Sequence, residues 1–171
     1  MANLFSTASL IVSLISLLIT IWLWRESNRP VVTARIRTHT GGNVAILYRI
    51  ELVNSGARPA KNVRLLADHQ EIIDALLPAA RSHKDYEREL RYIERCFEDR
   101  AMVPVLLNGE TTSSPFGHTS LEAPFWSPGA TLRLVVAYQG LEGQRYKSAV
   151  TIKIDDTAGF AGHSYGSEGD A

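Results

Sequence analysis

A single cysteine, Cys96, occurs in 171 residues, which excludes an internal disulfide and fits a reducing compartment. Neither charge is in surplus: 18 Lys plus Arg balance 18 Asp plus Glu, so bulk electrostatics point away from nucleic acid as a partner. The histidines His39, His69, His83, His118 and His163 form no H-x-x-x-H unit, and one cysteine cannot form C-x-x-C. No metal site is therefore expected, and most of these histidines are expected in surface loops. The glycine turns NSGA and NGET lack the lysine and the spacing of a phosphate loop. Cys96, beside Phe97, reads as a semi-buried apolar residue rather than a nucleophile. Asp68, Glu71 and Asp74 make an acidic patch, but exposed carboxylates around a turn need no catalytic role. Catalytic residues and cofactors are expected to be absent.

Charge is also missing from residues 4–24 (LFSTASLIVSLISLLITIWLW). As a helix this run is about 31 Å long at about 1.5 Å per residue, which matches a hydrocarbon core of about 30 Å. A cleavable signal peptide would carry a basic n-region, a shorter apolar core and a small-x-small cleavage site. Met1, Ala2 and Asn3 carry no charged side chain, the run is too long, and the polar RESNRP follows it. The segment reads as a permanent transmembrane anchor over residues 1–25. Trp22 and Trp24 sit at its C-terminal end, where indoles favour the headgroup layer, with Arg25 and Arg29 completing the interfacial set. Ser6, Ser9, Ser13, Ser16 and Thr20 recur at steps of 3, 4, 3 and 4, which confines them to an arc of about 80°. Such a stripe suits close packing against another helix, a partner's or a second copy's. Alternatively, each hydroxyl bonds to a carbonyl one turn back in its own helix.

No Lys or Arg precedes the anchor, whereas Arg25, Arg29, Arg35 and Arg37 follow it against Glu26 as the one early acid. The positive-inside rule then places the N-terminus outside and the soluble part in the cytoplasm. The four arginines also suit anionic headgroups, although setting topology accounts for them. Translocation of the soluble part remains the alternative.

Residues 26–30 form a short stem in which Pro30 biases Arg29 toward extended geometry. The stretch beyond the stem, residues 31–155, has the size of one domain. Val32, Ala34 and Ile36 alternate with polar residues before the turn HTGGN, and Ile46, Tyr48, Ile50 and Leu52 alternate after it. That is a hairpin with one buried face. Leu132, Leu134, Val136 and Tyr138 lead through QGLEGQ to Tyr146, Ser148, Val150, Ile152 and Ile154, a second hairpin whose polar face should meet water. Further strands are expected at residues 62–67 and 102–107, the latter at an edge or interrupted because Pro104 cannot donate to a ladder.

A helical insertion over about residues 70–100 interrupts this pattern. Ser82 and Asp85 stand in the relation of an N-terminal cap, and Tyr86, Leu90, Ile93 and Phe97 follow at steps of 4, 3 and 4. The expected helix covers residues 84–99, with Glu87 and Arg91 paired on its outer side. Residues 70–77 add a short helical turn ending before Pro78. The tail, residues 156–171, is rich in Gly and small polar residues and is expected to be disordered.

At ELVNSGARPAKNVRLLAD the chain resembles the small immunoglobulin-like sandwiches of many bacterial envelope proteins. There an early strand ends in Asn-x-Gly, a Pro or Ala turn follows, and the next strand opens with Asn-Val. The matching positions are Asn54, Gly56, Pro59, Ala60, Asn62 and Val63. WSPGATLRLVVAYQG, with Trp126, Pro128 and Gly129, is similar to the penultimate strand of such sandwiches. The helical insertion departs from that pattern. The resemblance implies a fold and a binding habit rather than an activity.

The expected fold is therefore mainly β, an immunoglobulin-like antiparallel sandwich with one inserted amphipathic helix, preceded by a single transmembrane helix. The expected function is a non-enzymatic scaffold or accessory protein-binding module at the cytoplasmic face of a bacterial inner membrane. Its expected partners are the lipid bilayer, a helix or second copy along the serine stripe, and a protein of unknown identity. The alternative is an envelope-facing module that binds a ligand or protein.

Overall fold

The computed structural model describes residues 2–40, 45–120, 125–127 and 129–155, without the side chains of residues 2–8 and 40. Helix α1, Ala2–Ser27, is 26 residues long. It continues two residues past Arg25, because the first position that proline disfavours for helix is Arg29.

Among the described residues seven strands form two antiparallel sheets. The first has the order β1-β2-β5, from Val32–Thr40, Ala45–Asn54 and Thr111–Ser120. The second has the order β4-β3-β6-β7, from Val103–Leu106, Ala60–Ala67, Thr131–Gln139 and Arg145–Lys153. Both hairpins form as their alternation requires. Val32↔Asn54 through Thr40↔Ile46 is the register of the first, and Thr131↔Lys153 through Gln139↔Arg145 that of the second. Ile46, Tyr48, Ile50 and Leu52 are buried against Leu132, Leu134, Val136 and Tyr138 in one core shared by the two sheets. β4, with Pro104, is an edge strand, the position proline tolerates.

Strand β5 has no counterpart among the expected strands. Its sequence, TTSSPFGHTS, holds one fully buried apolar side chain, Phe116, so no period announces it. The ladder to β2, not the strand's own pattern, makes it a strand. Between Leu47↔His118 and Arg49↔Pro115, Phe116 and Gly117 oppose the single residue Tyr48, a bulge in which Gly117 takes φ of 93°. A Cβ there would lie 2.9 Å from Trp126 Nε1.

In the insertion the short helical turn expected over residues 70–77 is present, whereas the helix expected over residues 84–99 is shorter than its span. Helix α2, His69–Ala75, is capped by Asp68, whose carboxylate accepts from Gln70 N at 2.7 Å. A 3-10 turn, Pro78–Ser82, follows. Helix α3 spans only Tyr86–Glu94 and passes into 3-10 turns at Arg95–Phe97 and Asp99–Ala101. Ser82 does not cap it, because that residue closes the preceding turn. Asp85 holds the cap position without a side-chain cap bond, and its carboxylate pairs with Arg88 at 3.3 Å. Arg91 Nε donates to the Glu87 carbonyl at 3.1 Å instead of the carboxylate. The inward face is as spaced: Leu90 and Ile93 are buried, with Tyr86 and Phe97 packed against the core. They close an aromatic cluster in which Phe116 stacks on Trp126 at 4.9 Å, and Trp126 Nε1 donates to the Phe116 carbonyl at 3.0 Å.

Candidate membrane anchor and its junction with the β domain

Within α1, Ser9–Ser27 is long and apolar enough to cross a membrane, and none of it is buried against the β domain. Such a length of exposed Leu, Ile and Val is tolerable in lipid and costly in water. Of the stripe, Ser13 Oγ donates to the Ser9 carbonyl at 2.9 Å and Thr20 Oγ1 to the Ser16 carbonyl at 2.8 Å. Both hydroxyl protons are thus satisfied within the helix. Their oxygens remain acceptors, and the small side chains still leave that arc open to a close neighbour. The side chain of Ser6 lies outside the described residues. Trp22 and Trp24 stand exposed at the C-terminal end.

The helix ends at a capped, sharply turned stem. Asn28 N, Asn28 Nδ2 and Ser27 Oγ all donate to the Trp24 carbonyl, at 3.0, 2.9 and 3.1 Å. Arg29 pairs with Glu26 at 3.1 Å. Beyond Pro30 the backbone is gathered into the β domain. The Pro30 carbonyl accepts from Tyr138 Oη at 3.3 Å, the Val31 carbonyl from Ser55 N at 2.9 Å, and Val31 N donates to Asn54 Oδ1 at 3.3 Å.

Asn54 organises this junction and is fully buried. Its Oδ1 also accepts from Gly56 N at 3.0 Å, and its Nδ2 donates to the Arg58 and Leu106 carbonyls at 2.8 and 3.1 Å. All four contacts of the amide are therefore made to backbone. Gly56 follows because a Cβ there would lie 2.3 Å from Val31 N. The Asn-x-Gly pattern thus has a mechanical reason: the amide ties two turns to the stem, and the glycine lets the stem lie on the chain. Asn62, with φ of 51°, makes the register shift of β3 between Lys61 and Arg64, a conformation asparagine tolerates.

Side chains complete the join. The Arg58 guanidinium lies over the Trp24 ring at 5.1 Å and pairs with Glu142 at 3.1 Å. Hydrogen bonds from Gln144 and then Arg58 hold the Glu142 carboxyl below its ordinary pKa.

The other residues singled out by sequence are employed structurally. Arg35 and Arg37 converge on Glu51, at 2.8 and 3.5 Å. Glu51 is 5% exposed although its alternation places it on the outer face. Its burial raises the carboxyl pKa, but hydrogen bonds and charge from Arg35, with Arg37, outweigh that and leave it below the ordinary value. Asp68 caps α2, Asp74 accepts from Gln70 Nε2 at 2.8 Å, and Glu71 pairs with Arg133 at 2.8 Å. Cys96 lines a crevice of about 200 Å³ with Ile50, Leu52 and Leu65 and with the polar Thr112, Ser113 and Ser114, and burial pushes its thiol pKa up despite the Ser114 hydrogen bond. His69 opens α2 rather than a loop and meets Glu94 at 2.7 Å. His118 lies on β5. Among the described residues no cluster of three or more His, Cys, Asp or Glu could hold a metal ion.

A model of a domain family of unknown function, DUF8453, matches residues 3–158. The chain belongs to that family. No curated protein and no solved structure matches it. The matched range takes in α1 from Asn3 onward, the stem and the seven described strands, so the DUF8453 unit comprises the apolar helix and the β domain together.

Proposed function

We propose that this DUF8453 protein is a single-pass, non-enzymatic scaffold or accessory module that holds a protein partner at the cytoplasmic face of a bacterial inner membrane. The observation that carries the reading is the junction: stem backbone groups from Pro30 and Val31 are bonded into the β domain, and Arg58 joins that domain to Trp24. A module that only needed confinement to a membrane could hang from a loose linker. A helix clamped in this way also fixes the direction in which the domain faces, which is useful to a protein that presents a surface to a partner.

The flanking charges support a cytoplasmic domain. Arg25, Arg29, Arg35 and Arg37 all follow the helix, and the bias acts on the inserting chain, before folding pairs Arg35 and Arg37 with Glu51. An immunoglobulin-like reading is supported by strand order. Lettered along the chain, β1-β2-β5 is A-B-E and β3-β6-β7 is C-F-G, the orders of that sandwich. β4 departs from the constant-type pattern by pairing with β3 instead of β5. The serine stripe offers the second contact, a neighbouring helix.

Protease added to intact spheroplasts tests the orientation. Protection of the β domain, with digestion only after lysis, is the expected result. Digestion from outside would overturn the cytoplasmic placement in favour of an envelope-facing module.

A further inference from the structure

The antiparallel registers bring three connections to one end of the β domain. Val32↔Asn54, Val53↔Thr111, Ala60↔Leu106 and Gln139↔Arg145 are neighbouring strand ends, so residues 55–59, 107–110 and 140–144 all emerge where β1 begins, the end joined to α1. Asn54 bonds this end together from Val31 to Leu106, and a Cβ on Gly140 would lie 4.0 Å from Pro30 Cδ. On this end Val31, Leu107 and Leu141 are 40%, 54% and 47% exposed. Leu141 is the one apolar side chain in a turn otherwise made of Gly140, Glu142, Gly143 and Gln144, and it fills no core position.

Depth follows from the contacts to the anchor. Arg58 touches the Trp24 ring on one side and Glu142, the residue after Leu141, on the other. The Leu141 turn therefore stands one guanidinium away from an indole at the end of a membrane-spanning segment, which is headgroup depth. Of the local charges, Arg58 pairs with Glu142 and Arg29 with Glu26, while Arg25, which acts on Glu142, and Arg145 stand with Glu110, whose carboxylate accepts from Leu107 N at 2.7 Å, so this end carries mixed charge rather than a basic patch. Its chemistry is that of an apolar wedge in a surround of mixed charge.

We propose that this end of the β domain is itself a lipid-contacting surface, with Leu107 and Leu141 inserted in the headgroup layer beside α1. The domain then stands on the bilayer, and its tilt is set by two turns as well as by the stem. This rests on the reading that α1 spans the membrane.

The test uses the full chain with Cys96→Ala, carrying one of Leu107→Cys, Leu141→Cys, Ser16→Cys or Lys153→Cys, each labelled with a polarity-sensitive fluorophore. Lys153 lies at the far end of β7. Proteins are placed in phosphatidylcholine nanodiscs with shallow or deep spin-labelled lipid. Labels at 107 and 141 should be quenched about twofold by the shallow spin label and shifted to the blue, while 153 stays unquenched. The label at 16 should respond to the deep one. Quenching at 141 no greater than at 153, with 16 still quenched, overturns the lipid contact and leaves the tether standing. Loss of quenching at 16 overturns both. Quenching at 107 and 141 that appears only after adding phosphatidylglycerol also overturns the apolar wedge, in favour of charge attraction.

Discussion

Two polar side chains, both buried and both on β2, decide more than their sequence context suggests. Asn54 bonds four backbone groups from three segments. Alanine would leave buried donors and acceptors unpaired, and Asn54→Ala should lower stability by about 3 kcal/mol in chemical denaturation. Glu51 is held by Arg35 and Arg37 with its pKa below the ordinary 4.5. A depressed carboxyl contributes stability that is complete above its unfolded pKa and is lost as pH falls through the folded one. Glu51→Gln should therefore cost about 1 kcal/mol at pH 7, given the exposed arginines, and progressively less as the pH falls below 4.5, measured by urea unfolding across that range.

At the scale of elements, β5 is the strand whose existence depends most on others. Its edge position permits Pro115, and its bulge turns on Gly117, where positive φ and the Trp126 indole both exclude a side chain. Gly117→Ala should cost about 3 kcal/mol, combining backbone strain with displacement of the Trp126 hydrogen bond. Gly109 offers the comparison, having φ of 74° with nothing within 4 Å of an added Cβ. Gly109→Ala should cost only about 1 kcal/mol. Equal losses in thermal unfolding would show that the indole gives way and only the backbone is strained. The 3-10 turns that shorten α3 belong to the same scale: Cys96 and Phe97 lie in the first of them and still join the core.

For the whole molecule, the proposed membrane placement turns on what packs against α1. Intrahelical bonding by Ser13 and Thr20 removes their protons from any contact with a neighbour, so association along the stripe must rest on close backbone approach and on the hydroxyl oxygens as acceptors. Replacing Ser9, Ser13 and Ser16 together by Leu should abolish helix association in a membrane two-hybrid assay, whereas Thr7→Leu, off the stripe, should not. An unchanged signal from the triple variant would leave α1 as a plain anchor.

Periodicity made much of this molecule readable in advance. The uncharged run ending at Trp24, the two hairpins with their buried faces and the inward face of α3 each repeat a local pattern, and burial of one face follows from repetition alone. Three features needed the tertiary structure. Strand β5 has no period because an edge strand needs only a ladder and one buried side chain, Phe116. Glu51 looks solvent-facing until Arg35 and Arg37, brought beside it by strand pairing, cover it. The junction combines Val31, Asn54, Arg58, Leu106 and Tyr138, residues scattered along the chain whose only relation is that antiparallel pairing returns each of them to the end that the helix joins. Local spacing determines which side of an element is buried; which elements meet is decided by long-range pairing, and in this protein that pairing joins the apolar helix to the domain.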